Sequence, residues 1–331
     1  MSEAMPLNLR QLHHVVLLAD EQHFGRAAER AFLSQSAFSR SIAVLEETVD
    51  LRLFDRGAGF VRLTAAGERM VARARRMLSA SRDLSRELDS LRSGDLGDLS
   101  VGAGPYSGGS LMAGALADLH AQHPSVQVQL EIGRALELQQ QLLDERIDFF
   151  LADLSELLPH KQCVIEPLGT GPGALYVRAA HPLAQRRAIN LRELRDQPFA
   201  SVHVPSPHAQ RIAAALGVDA HSALPLSLRC ESVYVLREYA LQHDVIISAP
   251  WETFALEIAA GRMCQLQVPE LDALGARTPL RMELGLVWLR ARTPSPAVGM
   301  LADLLRARAA ASLVPLDDTL EEGEADQDRS D

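Results

Sequence analysis

The run Leu33-Ser34-Gln35-Ser36-Ala37-Phe38-Ser39-Arg40-Ser41-Ile42-Ala43-Val44-Leu45-Glu46 reads as one short amphipathic helix. Phe38, Ile42 and Leu45 fall at i, i+4 and i+7, so they share a face that should pack inward. Gln35, Ser36, Ser39, Arg40 and Ala43 fall on the other side. Ser34 can cap the helix, its hydroxyl accepting a bond from a free first-turn N–H. The outer stripe is short and polar and carries one guanidinium. Gln pairs bidentately with adenine, Arg with guanine, and Ser with base or phosphate. A plain solvated face is the alternative, although such faces more often carry Glu/Lys pairs at i, i+4.

The flanking segments extend this reading. Leu9, Leu12, Val16 and Ala19 make an apolar stripe on a first helix, and Ala27, Ala28 and Ala31 on the next are small, as close helix crossing requires. A tight turn then leads into the 33–46 helix. Beyond it, Arg56 and Arg62 flank Gly57-Ala58-Gly59, a turn between two short strands. Two cationic arms around such a turn suit the phosphate backbone, and a merely charged hairpin is the alternative. The layout is that of a winged helix-turn-helix, whose second helix fits a DNA major groove. Ser34, Gln35, Ser36, Ser39, Arg40, Arg56 and Arg62 are the candidate DNA contacts.

Five runs in order carry a resemblance: Arg26-Ala27-Ala28-Glu29-Arg30, Leu33 to Arg40, Leu45-Glu46-Glu47, Leu53-Phe54-Asp55-Arg56 and Leu63-Thr64-Ala65-Ala66-Gly67. In order and spacing they closely resemble the N-terminal pattern of the LysR-type transcriptional regulators over about 60 residues. Gly25 stands where that pattern has a Ser or Thr cap, Ser36 where it often has Pro, and the tip Gly57-Ala58-Gly59-Phe60 lacks a basic residue. The resemblance implies a dimer or tetramer reading an inverted-repeat operator under the control of a small molecule. It leaves RNA polymerase open as a further partner.

Charge is distributed accordingly. The overall net charge is −10, yet residues 1–92 hold 14 Arg against 12 acidic residues. The acidic remainder would repel DNA rather than wrap it. Only one of the 33 basic residues is Lys, namely Lys161, which reads as a coding bias.

Residues 65–92 form a long helical pattern without Pro. Met70, Ala74, Met77, Ser81, Leu84, Leu88 and Leu91 alternate by four and three, a heptad seam that predicts pairing of two chains. The alternative is a lone amphipathic helix lying on the next domain. In the resemblance, this is the linker through which such proteins pair. Ser93-Gly94-Asp95-Leu96-Gly97 should end the helix and act as a hinge.

From residue 98 strands and helices alternate, which predicts parallel sheets covered on both faces. The pattern restarts near 173, predicting two lobes with a cleft at strand C-terminal ends. The resemblance implies the same two-lobed, periplasmic-binding-protein-like effector domain. The expected division is a winged helix-turn-helix over 1–66, a linker helix over 67–92 and an effector domain over 93–312. Lobe 1 should span 98–172 plus 275–312 and lobe 2 173–274, with an acidic disordered tail over 313–331.

Candidate effector residues follow from strand ends. Tyr106, Ser107 and Gly108 lie in the loop Gly104 to Ser110, whose hydroxyls and helix-start N–H groups suit an anion. A plain Gly-rich connection is the alternative. Arg134, Asp153, His203, Glu231, Ser232 and Ser248 lie at the other strand ends. Arg134 could balance a carboxylate, or simply be a surface residue.

No catalytic motif with the right context is present, and neither His13-His14 nor His203 with His208 has added ligands at metal spacing, so neither enzyme, cofactor nor metal is expected. The N-terminus lacks a signal-peptide pattern and no window approaches 18 unbroken apolar residues, so a cytoplasmic protein without a membrane partner is expected. Two other functions would each make a further demand on the chain. A solute-binding protein would need export. A thiol-based redox regulator would work through Cys163, Cys230 or Cys264, which show no local cationic setting beyond Lys161 and Arg229.

Overall fold

The computed structural model describes residues 7–57, 60–93, 98–204, 206–216, 226–274 and 278–315. The expected wing tip at Ala58-Gly59, the hinge at 94–97, the side chains of Leu91 and His208 and most of the expected tail (316–331) lie outside the described residues. The chain divides into two compact units. One comprises Met1–Gly97 with Asp144–Arg146, the other Asp98–Leu143 with Ile147–Asp331.

The first unit runs α1 (Leu9–Glu21), α2 (Phe24–Arg30), α3 (Gln35–Val49), β1 (Phe54–Gly57), β2 (Phe60–Leu63) and α4 (Ala65–Ser93). Asn8 and Gln11 form a reciprocal cap on α1. Leu12, Val15, Leu17 and Leu18 turn inward, while Leu9 is exposed and Val16 and Ala19 are only half-buried, so the core stripe is shifted from the expected one. The shift follows from α1 packing on α2, α3 and α4 together, which buries a broader arc than one seam. His14 also sits in this core. Its Nδ1 lies 2.7 Å from Ser41 Oγ and its ring packs 5.2 Å from that of Phe38. Burial, helped by His13 and Arg10, pushes its pKa down.

The α2 cap is His23, not Gly25. Its Nδ1 accepts the N–H groups of Gly25 and Arg26 at 3.1 and 3.3 Å. Ser34 caps α3 as expected, accepting the Ala37 N–H at 3.3 Å. The Leu63-Thr64-Ala65-Ala66-Gly67 run has a local explanation. Thr64 Oγ1 donates to the Arg52 carbonyl at 2.7 Å and accepts the Gly67 N–H at 3.0 Å, joining the wing to the start of α4. A Cβ on Gly67 would stand 2.0 Å from the Leu53 carbonyl oxygen, so no larger residue fits there without a backbone shift.

The second unit contains two five-stranded sheets. The first is built from β3 (Leu99–Ala103), β4 (Val128–Ile132), β5 (Phe149–Asp153) and β6 (Cys163–Gly171), joined by a strand from the end of the chain. Its connections are the short helix α5 (Pro105–Ser107), a π-turn over Gly108–Met112, α6 (Ala113–Gln122) and α7 (Ala135–Leu143). The second sheet is built from β7 (Gly173–Arg178), β8 (Phe199–Ser201), β9 (Leu226–Arg229), β10 (Ile246–Pro250) and β11 (Met263–Gln265). Helices α8 (Leu191–Leu194), α9 (Ser206–Leu216), α10 (Val233–Gln242), α11 (Ala255–Ala259) and α12 (Pro269–Asp272) connect them. Strand β12 (Met282–Leu289) returns to the first sheet, and α13 (Pro296–Ser312) packs on it.

The strand orders are β4-β3-β5-β12-β6 and β11-β7-β10-β8-β9. Both sheets are mixed, which corrects the expectation of parallel sheets. β12 runs antiparallel to β5 and β6, and β7 antiparallel to β10 and β11. The cause is the crossing of the chain between sheets. β6 passes into β7 through Pro172 alone, and β12 re-enters the first sheet against its direction, so neither strand follows a β-α-β crossover. Strand β6 shows no clean alternation and β11 has only three residues, so neither carries a local strand signal.

Candidate functional site

Two sets of side chains merit a functional reading, one in each unit. In the first, α3 presents Gln35, Ser36 and Arg40 to solvent, with Ser39 half-buried beside them, while Phe38, Ile42 and Leu45 lie in the core. Arg40 has no hydrogen bond or ion pair among the described residues. Ser34, spent on the cap, also lies 3.2 Å from Ser36 Oγ. In the turn before α3, Phe32 is 95% exposed at φ 55°.

Arg56 has an internal role that the sequence did not reveal. Its Nη2 pairs with Glu46 Oε2 at 2.7 Å and its guanidinium lies 5.1 Å over the Phe24 ring. Glu46 Oε1 accepts the N–H groups of Leu53 and Phe54 at 2.8 and 3.1 Å. Glu46 therefore fastens the last turns of α3 to the first strand of the hairpin, and Arg56 is part of that clamp. Arg62 stands opposite Asp55 in the hairpin register and also interacts within the protein. Glu46→Ala should leave two N–H groups unpaired and release Arg56. A cost of about 2 kcal/mol is expected, since an unsatisfied buried donor costs roughly 1–3 kcal/mol. Urea unfolding of the variant would show it, and an unchanged midpoint would contradict the clamp.

On α4 the expected seam divides in two. Ala74 is fully buried and Met70 half-buried, both against the core of their own unit beside Val71 and Leu78. Ala74, enclosed by its own unit, has no surface to offer a partner, whereas Met70 keeps part of its side chain exposed. Met77, Leu84 and Leu88 are instead about half exposed, at 50%, 56% and 51%.

In the second unit a cavity of about 100 Å³ lies between the two sheets. One side is Gly104 to Ser107 after β3, Arg134 and Ala135 after β4, Ala152 and Asp153 at the end of β5, and Met282 at the start of β12. The other side is Ser201 to Val204 after β8, Glu231 after β9, and Ser248 and Ala249 in β10. Ile212, Pro279 and Leu280 complete the lining. Tyr106, Ser107, Arg134, Asp153, His203, Glu231 and Ser248 thus converge, as strand ends in such folds do. Gly108 and Ser232 line a more open adjoining hollow with Pro105 and Glu231. The Ser232 hydroxyl caps α10 by accepting the Val235 N–H at 3.4 Å.

The protons in this cavity are arranged in a way the sequence could not show. Tyr106 Oη donates to the Ser248 carbonyl at 2.7 Å, and burial pushes the phenol pKa well up. Ser107 is buried, and its Oγ donates to the carbonyls of Leu151 and Gly104, at 3.0 and 3.2 Å. Arg134 is paired with Glu137, Nε to Oε1 at 3.0 Å, which holds that carboxyl below its usual range. Asp153 accepts the Ser155 N–H at 2.9 Å. The two hydroxyls expected to donate to an anion have therefore given their protons to carbonyls, because a buried hydroxyl must find an acceptor.

The cysteines stand apart. Cys163 is on β6 and Cys264 on β11, in different sheets, and burial pushes both thiols up in pKa, away from the reactive thiolate. Among the described residues no cluster could hold a metal ion, and no helix is long and apolar enough to cross a membrane.

Comparison with known proteins covers nearly the whole chain. The family profile of the LysR substrate binding domain matches residues 92–310, and that of the bacterial regulatory helix-turn-helix protein, lysR family, matches residues 9–68. The SDS degradation transcriptional activation protein of a Pseudomonas species is 40% identical over 300 residues, covering 90% of this chain and 95% of that protein. Among solved structures, a full-length OxyR variant from Pseudomonas aeruginosa is similar with a TM-score of 0.65 at 22% identity, covering 95% of this chain and 99% of that one. Full-length CbnR in complex with its target DNA is similar with a TM-score of 0.61 at 18% identity, covering 91% and 100%. At these identities the two structural likenesses are likenesses of fold.

Proposed function

Because the chain belongs to the LysR family of bacterial transcriptional regulators, we propose that it reads an inverted-repeat operator as a dimer or tetramer and answers to a small molecule held in the cleft between its two sheets. Gln35, Ser36, Ser39 and Arg40 meet bases or phosphates, with Arg56 and Arg62 holding the backbone from the wing. Met77, Leu84 and Leu88 form the pairing seam. The reading divides the chain as the sequence suggests, at about 66, 92 and 312, and places it in the cytoplasm, without catalysis. Binding of the effector shifts the two lobes, which requires a difference in affinity between two states. A coupling of about 1–3 kcal/mol suffices to regulate.

The observation that carries the effector reading is the cavity itself. Eight polar residues on or just after six strands, Ser201 among them, converge on one hollow whose wall also carries the apolar Ala152, Val202, Ile212, Leu280 and Met282. Such a hollow is the default ligand site of a two-lobed α/β fold. The 40% identical relative is named for transcriptional activation of SDS degradation, which puts alkyl sulfates and their hydrolysis products among the compounds to try.

The test begins with genomic fragments retained by the protein, which should share an inverted repeat. A reporter driven by that repeat, screened against alkyl sulfates, alcohols, amines and acids, should respond to one class. Met282→Trp, which enlarges a side chain of the cavity lining, should remove that response. Induction that survives the substitution would place the effector outside this cleft.

A further inference from the structure

We infer that the effector carries a hydrogen-bond donor, an ammonium or hydroxyl group on an apolar body, which it places on Glu231. The inference rests on the reading of the cleft as the effector site. Glu231 follows β9 directly and lines both the cleft and the adjoining hollow. Its Oε1 accepts the backbone N–H of His203 at 3.1 Å, which holds the carboxylate in one orientation. Its Oε2 is buried and has no hydrogen-bond partner among the described residues. Buried carboxylate oxygens are ordinarily partnered, and an orphan at a ligand cavity calls for an explanation. Two hydroxyls of the lining are committed elsewhere, Tyr106 Oη to the Ser248 carbonyl and Ser107 Oγ to the carbonyls of Leu151 and Gly104. The Arg134 guanidinium is paired with Glu137. What Glu231 and Ser107 together offer a guest is lone pairs. An anion brought against this side would meet acceptor against acceptor, whereas an N–H or O–H would satisfy Oε2. The apolar wall of Val202, Ile212, Leu280 and Met282 sets the rest of the guest as hydrocarbon.

Glu231→Gln tests this with little change of shape. The amide keeps an oxygen for the His203 N–H and replaces Oε2 with a donor, so the preferred polarity of the guest should reverse. Titration calorimetry of the full-length protein would use hexylammonium, 1-hexanol and hexanoate as probes. The parent should bind a donor probe at least tenfold more tightly than hexanoate, tighter binding of hexylammonium marking a cationic guest and of 1-hexanol a neutral one. In the Glu231→Gln protein hexylammonium should weaken at least tenfold and hexanoate should gain. Tighter binding of hexanoate by the parent, or affinities unmoved by Glu231→Gln but abolished by Met282→Trp, would overturn the role of Glu231 and leave the cleft reading standing. Binding that Met282→Trp does not affect, or no binding of any probe, would overturn the cleft reading and this inference with it.

Discussion

Replacement of both Leu84 and Leu88 by Asp should leave the protein monomeric in sedimentation and should lower operator affinity by about 10²–10⁴-fold, the avidity that linked half-sites ordinarily supply. The two leucines are 56% and 51% exposed on α4, and Met77, one heptad before Leu84, is 50% exposed. Large apolar side chains repeated along one line of a helix mark a contact surface. Burying one Leu contributes roughly 1.5–3 kcal/mol, so two per chain account for a substantial part of a pairing energy. An Asp at each position would remove that term and set like charges against each other across the seam. Ala74→Asp is not an equivalent experiment, since Ala74 lies in the core of its own unit and the substitution would unfold it. A double variant that sediments and binds as the parent does would show that chains pair elsewhere.

The second large effect belongs to Arg40. Its guanidinium stands exposed on the outer side of α3 without an internal partner among the described residues, so its reach is available to a bound duplex. A bidentate Arg–guanine pair is worth about 1–3 kcal/mol of discrimination. Arg40→Ala should therefore weaken the operator complex by roughly 5- to 150-fold and relax specificity at one base pair. Competition binding against a library randomised at each operator position would register both. Arg56→Ala, by contrast, should lose stability as well as affinity, because Arg56 also serves the Glu46 clamp. Unaltered affinity and unaltered base preference in the Arg40 variant would remove α3 from the reading face.

The helix-turn-helix was legible because its signals are local. A cap at Ser34, an apolar face at Phe38, Ile42 and Leu45, and the Leu63 to Gly67 run each act within a few residues, where chain geometry is set by nearest neighbours. The strand ends of the second unit were legible for a related reason. Once alternating β and α elements are placed, chain direction dictates which loops share an end of the sheet. The α4 seam was only half legible. A heptad pattern states that a face is apolar but not what covers it, and the same spacing serves the unit's own core at Ala74 and solvent at Leu84.

The sequence by itself determined the family, the order of elements and the identity of most cleft residues, because these depend on periodicity, capping and motif spacing along the chain. Tertiary structure decided what those side chains do. It tied Arg56 to Glu46 across ten residues, and it turned the Tyr106 hydroxyl toward Ser248 and that of Ser107 toward Leu151. It also left Glu231 Oε2 without a partner among the described residues. Hydrogen-bond direction and burial are properties of groups brought together from distant positions. No local pattern encodes them, and in this protein they commit to backbone carbonyls the Tyr106 and Ser107 protons that the sequence alone leaves open to an anion.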